Sequence, residues 1–289
     1  DSRLTHSGGT LEIFNSQVFV GGDFVSSAGG LKIDGSMLTL DGTSDQVLSV
    51  LDQLHSLIIT NVNTITLDNE LVTAGDLTYG GSKFDTKGYE VVFSGNDSQV
   101  IDAQNNTFGN VRVDNASNLT IVDSLDVDGN LTIGQATSFN GGIITIAGDL
   151  NSYDTNFTGS IEFILDGTND QTVSGVSGYQ LISLTVDKSF GTAFLTGEMN
   201  LSRHLIVTQG NVDATALDLQ LTGGSGTIGG PIGPIHTLNF NTSVGIKTIG
   251  GYLNVLGDAS ITSAVTINGG EIRVGGNLFS VDSDVDGTT

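Results

Sequence analysis

Three copies of a long, imperfect repeat constrain the fold of this sequence more than any other feature. Each copy opens with glycine, aspartate and an apolar residue, at Gly22, Gly75 and Gly148. Eighteen or nineteen residues later comes a polar motif that ends in glutamine: Asp41-Gly42-Thr43-Ser44-Asp45-Gln46, Ser94-Gly95-Asn96-Asp97-Ser98-Gln99 and Asp166-Gly167-Thr168-Asn169-Asp170-Gln171. Such self-similarity indicates a repeat architecture in which each copy packs on its neighbour.

The spacing of these motifs indicates which repeat architecture suits the chain. Asp41 and Ser94 are 53 residues apart, whereas Ser94 and Asp166 are 72 apart. A solenoid accepts one additional complete turn without disturbing its stack, but a closed barrel or a propeller blade does not. The longer interval therefore favours a solenoid with turns of about 18 to 20 residues.

Short segments of alternating apolar and polar residues lie between the turn motifs, as in Leu119-Thr120-Ile121 and Leu131-Thr132-Ile133. A period of two predicts strands with one buried face, and no segment has the sustained period of 3.6 that predicts a helix. We predict an all-β, parallel β-solenoid (β-helix) of about 14 or 15 turns, without helices of usual length. Two antiparallel sandwiches are the alternative, and they require hairpin turns.

The same alternation predicts the core, because like residues of successive turns stack in inward ladders. Arg112 and Arg273 occupy alternate positions and are expected on the solvent side. We expect the following residues, or their immediate neighbours, in the ladders: Leu40, Val50, Ile59, Val113, Ile133, Ile146, Leu165, Val186 and Ile267.

The sequence predicts a single solenoid domain over residues 1–289. The one candidate linker is a Gly-rich stretch near 223–236, which contains both prolines, Pro231 and Pro234. Because isoleucines are spaced along this stretch, we expect a wide loop or an irregular turn rather than a domain boundary.

The formal net charge of −23, from 32 acidic and 9 basic residues, limits the partners of the chain. Nucleic acids and anionic membranes are bound by clustered lysine and arginine, and the basic residues here are scattered. No run of about 18 apolar residues occurs, so we expect no membrane insertion.

The repeated Gly-Asp-Leu, Asp-Gly-Thr and Gln motifs, each followed by an apolar strand, resemble those of large bacterial surface β-solenoids. Autotransporter passengers and filamentous-haemagglutinin-like adhesins are the best-known members of this group. The resemblance covers about residues 18–280. It implies export, a rod shape and an adhesive or scaffolding role, and it carries over no functional residue.

Two acidic strings are candidate calcium sites. One, Asp282-Ser283-Asp284-Val285-Asp286-Gly287, matches the first half of a calcium loop, in which alternate aspartates supply oxygen ligands. A similar string, from Asp123 to Gly129, begins an ordinary turn of the solenoid, so a turn role competes with calcium binding at both places. The candidate Ca²⁺ ligands are therefore Asp282, Asp284, Asp286, Asp126 and Asp128, and no other cofactor is expected.

The sequence offers little for catalysis. Solenoid enzymes that cleave polysaccharides use paired carboxylates, or calcium beside a basic residue. Acidic residues abound here, but basic residues are few. Side chains that could stack on a sugar ring are also scarce, since the chain has no tryptophan and only five tyrosines. The histidines lack metal-ligand spacing. We therefore predict a protein that is not an enzyme.

Eight Asn-x-Ser/Thr sequons occur in the sequence. Those at Asn105 and Asn115 lie in turn-like segments, so we expect these two side chains to be accessible. Glycosylation itself depends on the host.

The predicted function is structural. We expect a secreted, extracellular protein of the cell surface that stacks head-to-tail into a filament or forms an adhesin stalk. Its expected partners are itself, through end-to-end β-sheet stacking, and glycans or other surface proteins. The alternative is a carbohydrate-binding or polysaccharide-cleaving β-helix protein, which a patch of aromatic and acidic side chains on one face would favour.

Overall fold

The computed structural model describes residues 3–81, 83–104, 106–242, 245–262 and 265–280. These residues contain no helix, and their strands stack in parallel as a β-solenoid of about 14 turns. The predicted all-β solenoid is therefore confirmed, and the alternative prediction of two antiparallel sandwiches is wrong. The strands are β1 (Leu4–His6), β2 (Leu11–Phe14), β3 (Gln17–Val20), β4 (Phe24–Ser26), β5 (Leu31–Asp34), β6 (Met37–Leu40), β7 (Gln46–Val50), β8 (Ser56–Ile59), β9 (Thr64–Leu67), β10 (Leu71–Thr73), β11 (Leu77–Tyr79), β12 (Lys83–Asp85), β13 (Glu90–Gly95), β14 (Gln99–Asp102), β15 (Thr107–Phe108), β16 (Asn110–Val127), β17 (Leu131–Ile146), β18 (Leu150–Ser152), β19 (Thr158–Gly159), β20 (Glu162–Leu165), β21 (Gln171–Gly175), β22 (Tyr179–Leu221), β23 (Gly226–Gly229), β24 (Ile235–Phe240), β25 (Ile246–Gly250), β26 (Tyr252–Val255), β27 (Ala259–Ile261), β28 (Thr266–Asn268), β29 (Glu271–Val274) and β30 (Leu278–Ser280).

Contacts between residues divide the chain into two units. The first unit comprises the described residues up to Ile146 together with 158–161, and the second comprises 147–157 and the described residues from Glu162 onward. The prediction of a single domain over 1–289 stays a prediction.

In the first unit, successive turns add parallel strands to three rows. One row stacks β1, β4, β7, β9 and β12. A second contains β2 with β5, and β10 with β13. The third stacks β3, β6, β8, β11 and β14. The long strands β16 and β17 run through the corners and pair with each other along most of their length.

The core of the first unit consists of ladders of like side chains. Leu38, Leu57 and Leu77 are in register on β6, β8 and β11, and all three are fully buried. Burying one leucine side chain contributes about 1.5 to 3 kcal/mol, so each turn stabilises the next through these contacts. The intervening residues Ile58 and Thr78 are partly exposed, as the period of two predicts, whereas Thr39 is buried.

The predicted inward positions are largely confirmed. Ile267 is half-buried. The other eight are at most 3% exposed: Leu40, Val50, Ile59, Val113, Ile133, Ile146, Leu165 and Val186. Arg112 and Arg273 face outward as expected, and each has a glutamate partner, Glu90 at 3.2 Å and Glu271 at 2.6 Å respectively.

The second unit repeats this arrangement. The strand β22 runs through several corners and pairs with β20, β21, β23 and β24. Three further strands each pair on both sides. The strand β25 lies between β23 and β28, and β26 lies between β24 and β29. The strand β27 lies between β24 and β30. Within the Gly-rich stretch, β23 buries Ile228 in the core. Pro231 and Pro234 lie between β23 and β24, where the ladder needs no N–H donor.

Candidate functional site

A buried polar contact recurs at each copy of the sequence repeat. In the first copy, the side-chain amide of Gln46 donates to the carbonyl oxygen of Gly22, and its Oε1 accepts from Nδ2 of Asn61 at 2.5 Å. The neighbouring Asp23 accepts from the backbone N–H of Val47 at 2.9 Å. The Gly-Asp pair and the glutamine therefore belong to one hydrogen-bonded unit that joins successive turns.

The second copy has the same geometry. Gln99 donates to the carbonyl oxygen of Gly75 at 2.8 Å and accepts from Nδ2 of Asn115 at 2.5 Å. Asp76 accepts from the backbone N–H of Val100 at 2.8 Å. We call these units the glutamine brackets, defined by Gln46, Gln99 and Gln171. Each closes a corner whose backbone groups would otherwise be buried without partners.

The third bracket uses a lysine in place of the asparagine. Nζ of Lys188 donates to Oε1 of Gln171 at 2.6 Å and to the carbonyl oxygen of Asn169 at 2.8 Å. Burial lowers the pKa of Lys188, and the nearby Asp170 and Asp166 act in the opposite direction.

Sequence reasoning found the glutamines of these brackets but missed their partners. The partner follows the glutamine by 15 residues at Asn61, by 16 at Asn115 and by 17 at Lys188. This nearly constant spacing is the sequence signal that could have located the partners. The replacement of asparagine by lysine at Lys188, in the third copy, obscured it.

The predicted calcium ligands fall in two groups. Asp282, Asp284 and Asp286 lie outside the described residues. Asp126 accepts hydrogen bonds from the hydroxyls of Thr107 at 2.7 Å and Thr145 at 2.8 Å, one on each neighbouring turn. The calcium hypothesis stays a prediction.

The surroundings of Asp128 are different. It lines an open groove of about 530 Å³ on the first unit, which is also lined by Lys83 and Lys87. Asp85 also lines the groove, 3.8 Å from Nζ of Lys83, so the groove combines charges of both signs. Across the described ranges, no group of three or more His, Cys, Asp or Glu side chains could hold a metal ion.

The expected accessibility of Asn115 is wrong. Its side chain is fully buried, because its amide donates to Gln99 and to the carbonyl oxygen of Asp97 at 3.0 Å. A sequon that supplies an internal bracket cannot present its amide to a glycosylating enzyme in the folded state. Asn105 lies outside the described residues.

A second groove, of about 490 Å³, lies on the outer side of the second unit, and we call it the polar groove. One row of its lining runs from Gln220 through Asn239 and Ser260 to Phe279, and these residues pair in register across β22, β24, β27 and β30. The ring of Phe279 is 54% exposed.

Carboxylates line the polar groove beside this row. They belong to Glu198, Asp218 and Asp258. Asp218 accepts from the hydroxyl of Thr237 at 2.6 Å and lies 2.8 Å from Nδ1 of His236. These contacts hold Asp218, Thr237 and His236 in defined positions.

The fold and its repeated brackets define the chain as a β-solenoid repeat protein. No protein-family model, curated protein or solved structure matches it. In the part of the chain that the structure describes, no helix is long and apolar enough to cross a membrane.

Proposed function

We propose that this chain is a non-enzymatic structural protein of the cell exterior, which stacks head-to-tail into a filament or forms the stalk of an adhesin. The observation that carries this proposal is the recurrence of the glutamine brackets. They place buried polar side chains at Gln46, Gln99 and Gln171 between successive turns. Fully paired buried networks make a structure rigid and specify its register, which is what a load-carrying scaffold requires.

The proposed partner is a second copy of the chain. Each turn of a solenoid contacts only its neighbours, so a turn of compatible register from another copy extends the sheets. Leu278 illustrates such a contact surface. It is in register with the buried Ala259, yet it is 62% exposed. Because the two joined surfaces differ, the contact is heterologous and leads to filaments rather than closed dimers.

Salt provides a second test of this association. The net charge of −23 opposes contact between copies, and screening at physiological ionic strength confines that repulsion to about 8 Å. We therefore expect polymers to lengthen with both protein concentration and salt.

Light scattering and negative-stain microscopy of the purified chain test the proposal. We expect polymers for the wild type and for Phe190→Asp, and shorter ones for Leu278→Asp, since an aspartate in the ladder opposes stacking. A monomer at every concentration and salt would reject the filament and leave the stalk. Release of new reducing ends from polysaccharides would contradict the non-enzymatic role.

A further inference from the structure

The polar groove has a composition that a purely structural role does not require. Its row of residues places two amides, a hydroxyl and an aromatic ring on adjacent strands, as Gln220, Asn239, Ser260 and Phe279. Neighbouring strands are about 4.8 Å apart, which is close to the length of one pyranose unit in an extended polysaccharide. A glycan chain that lies along the stack would therefore meet one polar or aromatic group for each sugar.

The chemistry of these groups suits sugars. Amides and carboxylates offer two polar atoms in one plane, which matches a pair of neighbouring sugar hydroxyls. The exposed ring of Phe279 offers an apolar surface for the C–H face of a pyranose. Hydrogen bonds such as the one from Gln220 to Glu198 hold the groups in place, which reduces the entropy lost on binding.

The charge of the groove selects among sugars. Glu198, Asp218 and Asp258 contribute carboxylates, and the described residues that line the groove include no lysine or arginine. Sugars that carry carboxylate or sulfate groups are repelled by this charge.

We propose that the polar groove binds a linear, neutral polysaccharide, with Phe279 as the stacking platform and Gln220 and Asn239 as hydrogen-bonding residues. This proposal does not depend on filament formation, because all of these residues lie on the second unit of a single chain.

Calorimetric titration of the purified chain with a panel of neutral tetrasaccharides (gluco-, manno-, galacto- and xylo-configured) tests the inference, with tetragalacturonate as the charged counterpart. We expect binding of at least one neutral tetrasaccharide and none of tetragalacturonate. Phe279→Ala and Asn239→Ala should each weaken binding about tenfold, a change of about 1.4 kcal/mol. Phe190→Ala is the matched control, since Phe190 is an exposed phenylalanine of the same unit outside the groove, and it should bind like the wild type.

Three results would overturn the inference. The first is no binding of any neutral tetrasaccharide by protein whose circular dichroism shows the native strand content. The second is equal binding of tetragalacturonate. The third is an equal loss of affinity in Phe190→Ala and Phe279→Ala, which would place the ligand elsewhere.

Discussion

Nζ of Lys188 lies 2.6 Å from Oε1 of Gln171, so a buried cation takes the place that the asparagine amides of Asn61 and Asn115 fill in the other two brackets. The lysine is tolerated because its ammonium group also donates to two main-chain carbonyl oxygens. A buried charge without such partners would cost several kcal/mol. The bracket therefore specifies hydrogen-bond geometry rather than one residue type.

Removal of this ammonium group should destabilise the fold. In Lys188→Met the acceptors around the former Nζ lose their donor, and we expect the free energy of unfolding to fall by about 2 kcal/mol. Urea denaturation measures this. The control is Lys32→Met, which removes an exposed surface ion pair with Glu12 at 2.9 Å and should leave the free energy of unfolding close to that of the wild type, because water and salt screen such pairs. Equal effects of the two substitutions would contradict the role of the third bracket.

Tyr79 should make the stability of the first unit depend on alkaline pH. Burial raises the pKa of Tyr79 to about 12, whereas an unfolded tyrosine ionises near pH 10. The unfolded chain loses its proton first, so the stability that Tyr79 contributes is present below about pH 10 and is lost as the pH rises through about 12.

Tyr79→Phe isolates this effect. The hydroxyl of Tyr79 has no hydrogen-bond partner among the described residues, so its removal should not destabilise the protein near neutral pH. At about pH 11 the variant should be more stable than the wild type, as measured by urea denaturation. Tyr153→Phe, at an exposed tyrosine, should match the wild type at both values of pH. The prediction fails if Tyr79→Phe and the wild type lose stability in parallel above about pH 10.

Gly142 marks a corner where two turns approach too closely for a side chain. A Cβ atom at this position would lie 1.5 Å from the carbonyl oxygen of Asp123. We expect Gly142→Ala to lower the free energy of unfolding by about 1 to 3 kcal/mol, because the backbone must shift. Gly29→Ala is the matched control, since no atom lies within 4 Å of its added Cβ. A Gly142→Ala variant as stable as this control would show that the corner is more tolerant than its geometry indicates.

Chelation tests the calcium hypothesis for Asp282, Asp284 and Asp286. An ion at a hundredfold excess over its dissociation constant stabilises the folded state by about 2.7 kcal/mol, so under this hypothesis EDTA lowers the melting temperature. Asp284→Asn should abolish the response to EDTA. Asp126→Asn should retain it, since that carboxylate is already bonded to Thr107 and Thr145. An unchanged melting curve in EDTA would limit these aspartates to turn and solubility roles.

Positions governed by strand alternation were predictable from the sequence. Val113 lies in the core and Arg112 lies outside it because consecutive side chains of a strand point to opposite faces. The recurrence of Gly22 and of the Asp41-Gly42 pair likewise located corners of the solenoid, since glycine and aspartate favour turns. These properties are local, so a single stretch of sequence contains them.

The sequence by itself determined the period, the inward ladders and the parallel stack of turns. Only the tertiary structure decided which residues of different turns meet, and this changed the role of Asn115 from an accessible sequon to a buried bracket. It also placed Gln220 beside Asn239 and Ser260 beside Phe279, although each pair is separated by 19 residues in the chain. The physical reason is that turns differ in length, with bracket partners 15, 16 or 17 residues apart, so register across turns depends on the packing of the whole stack.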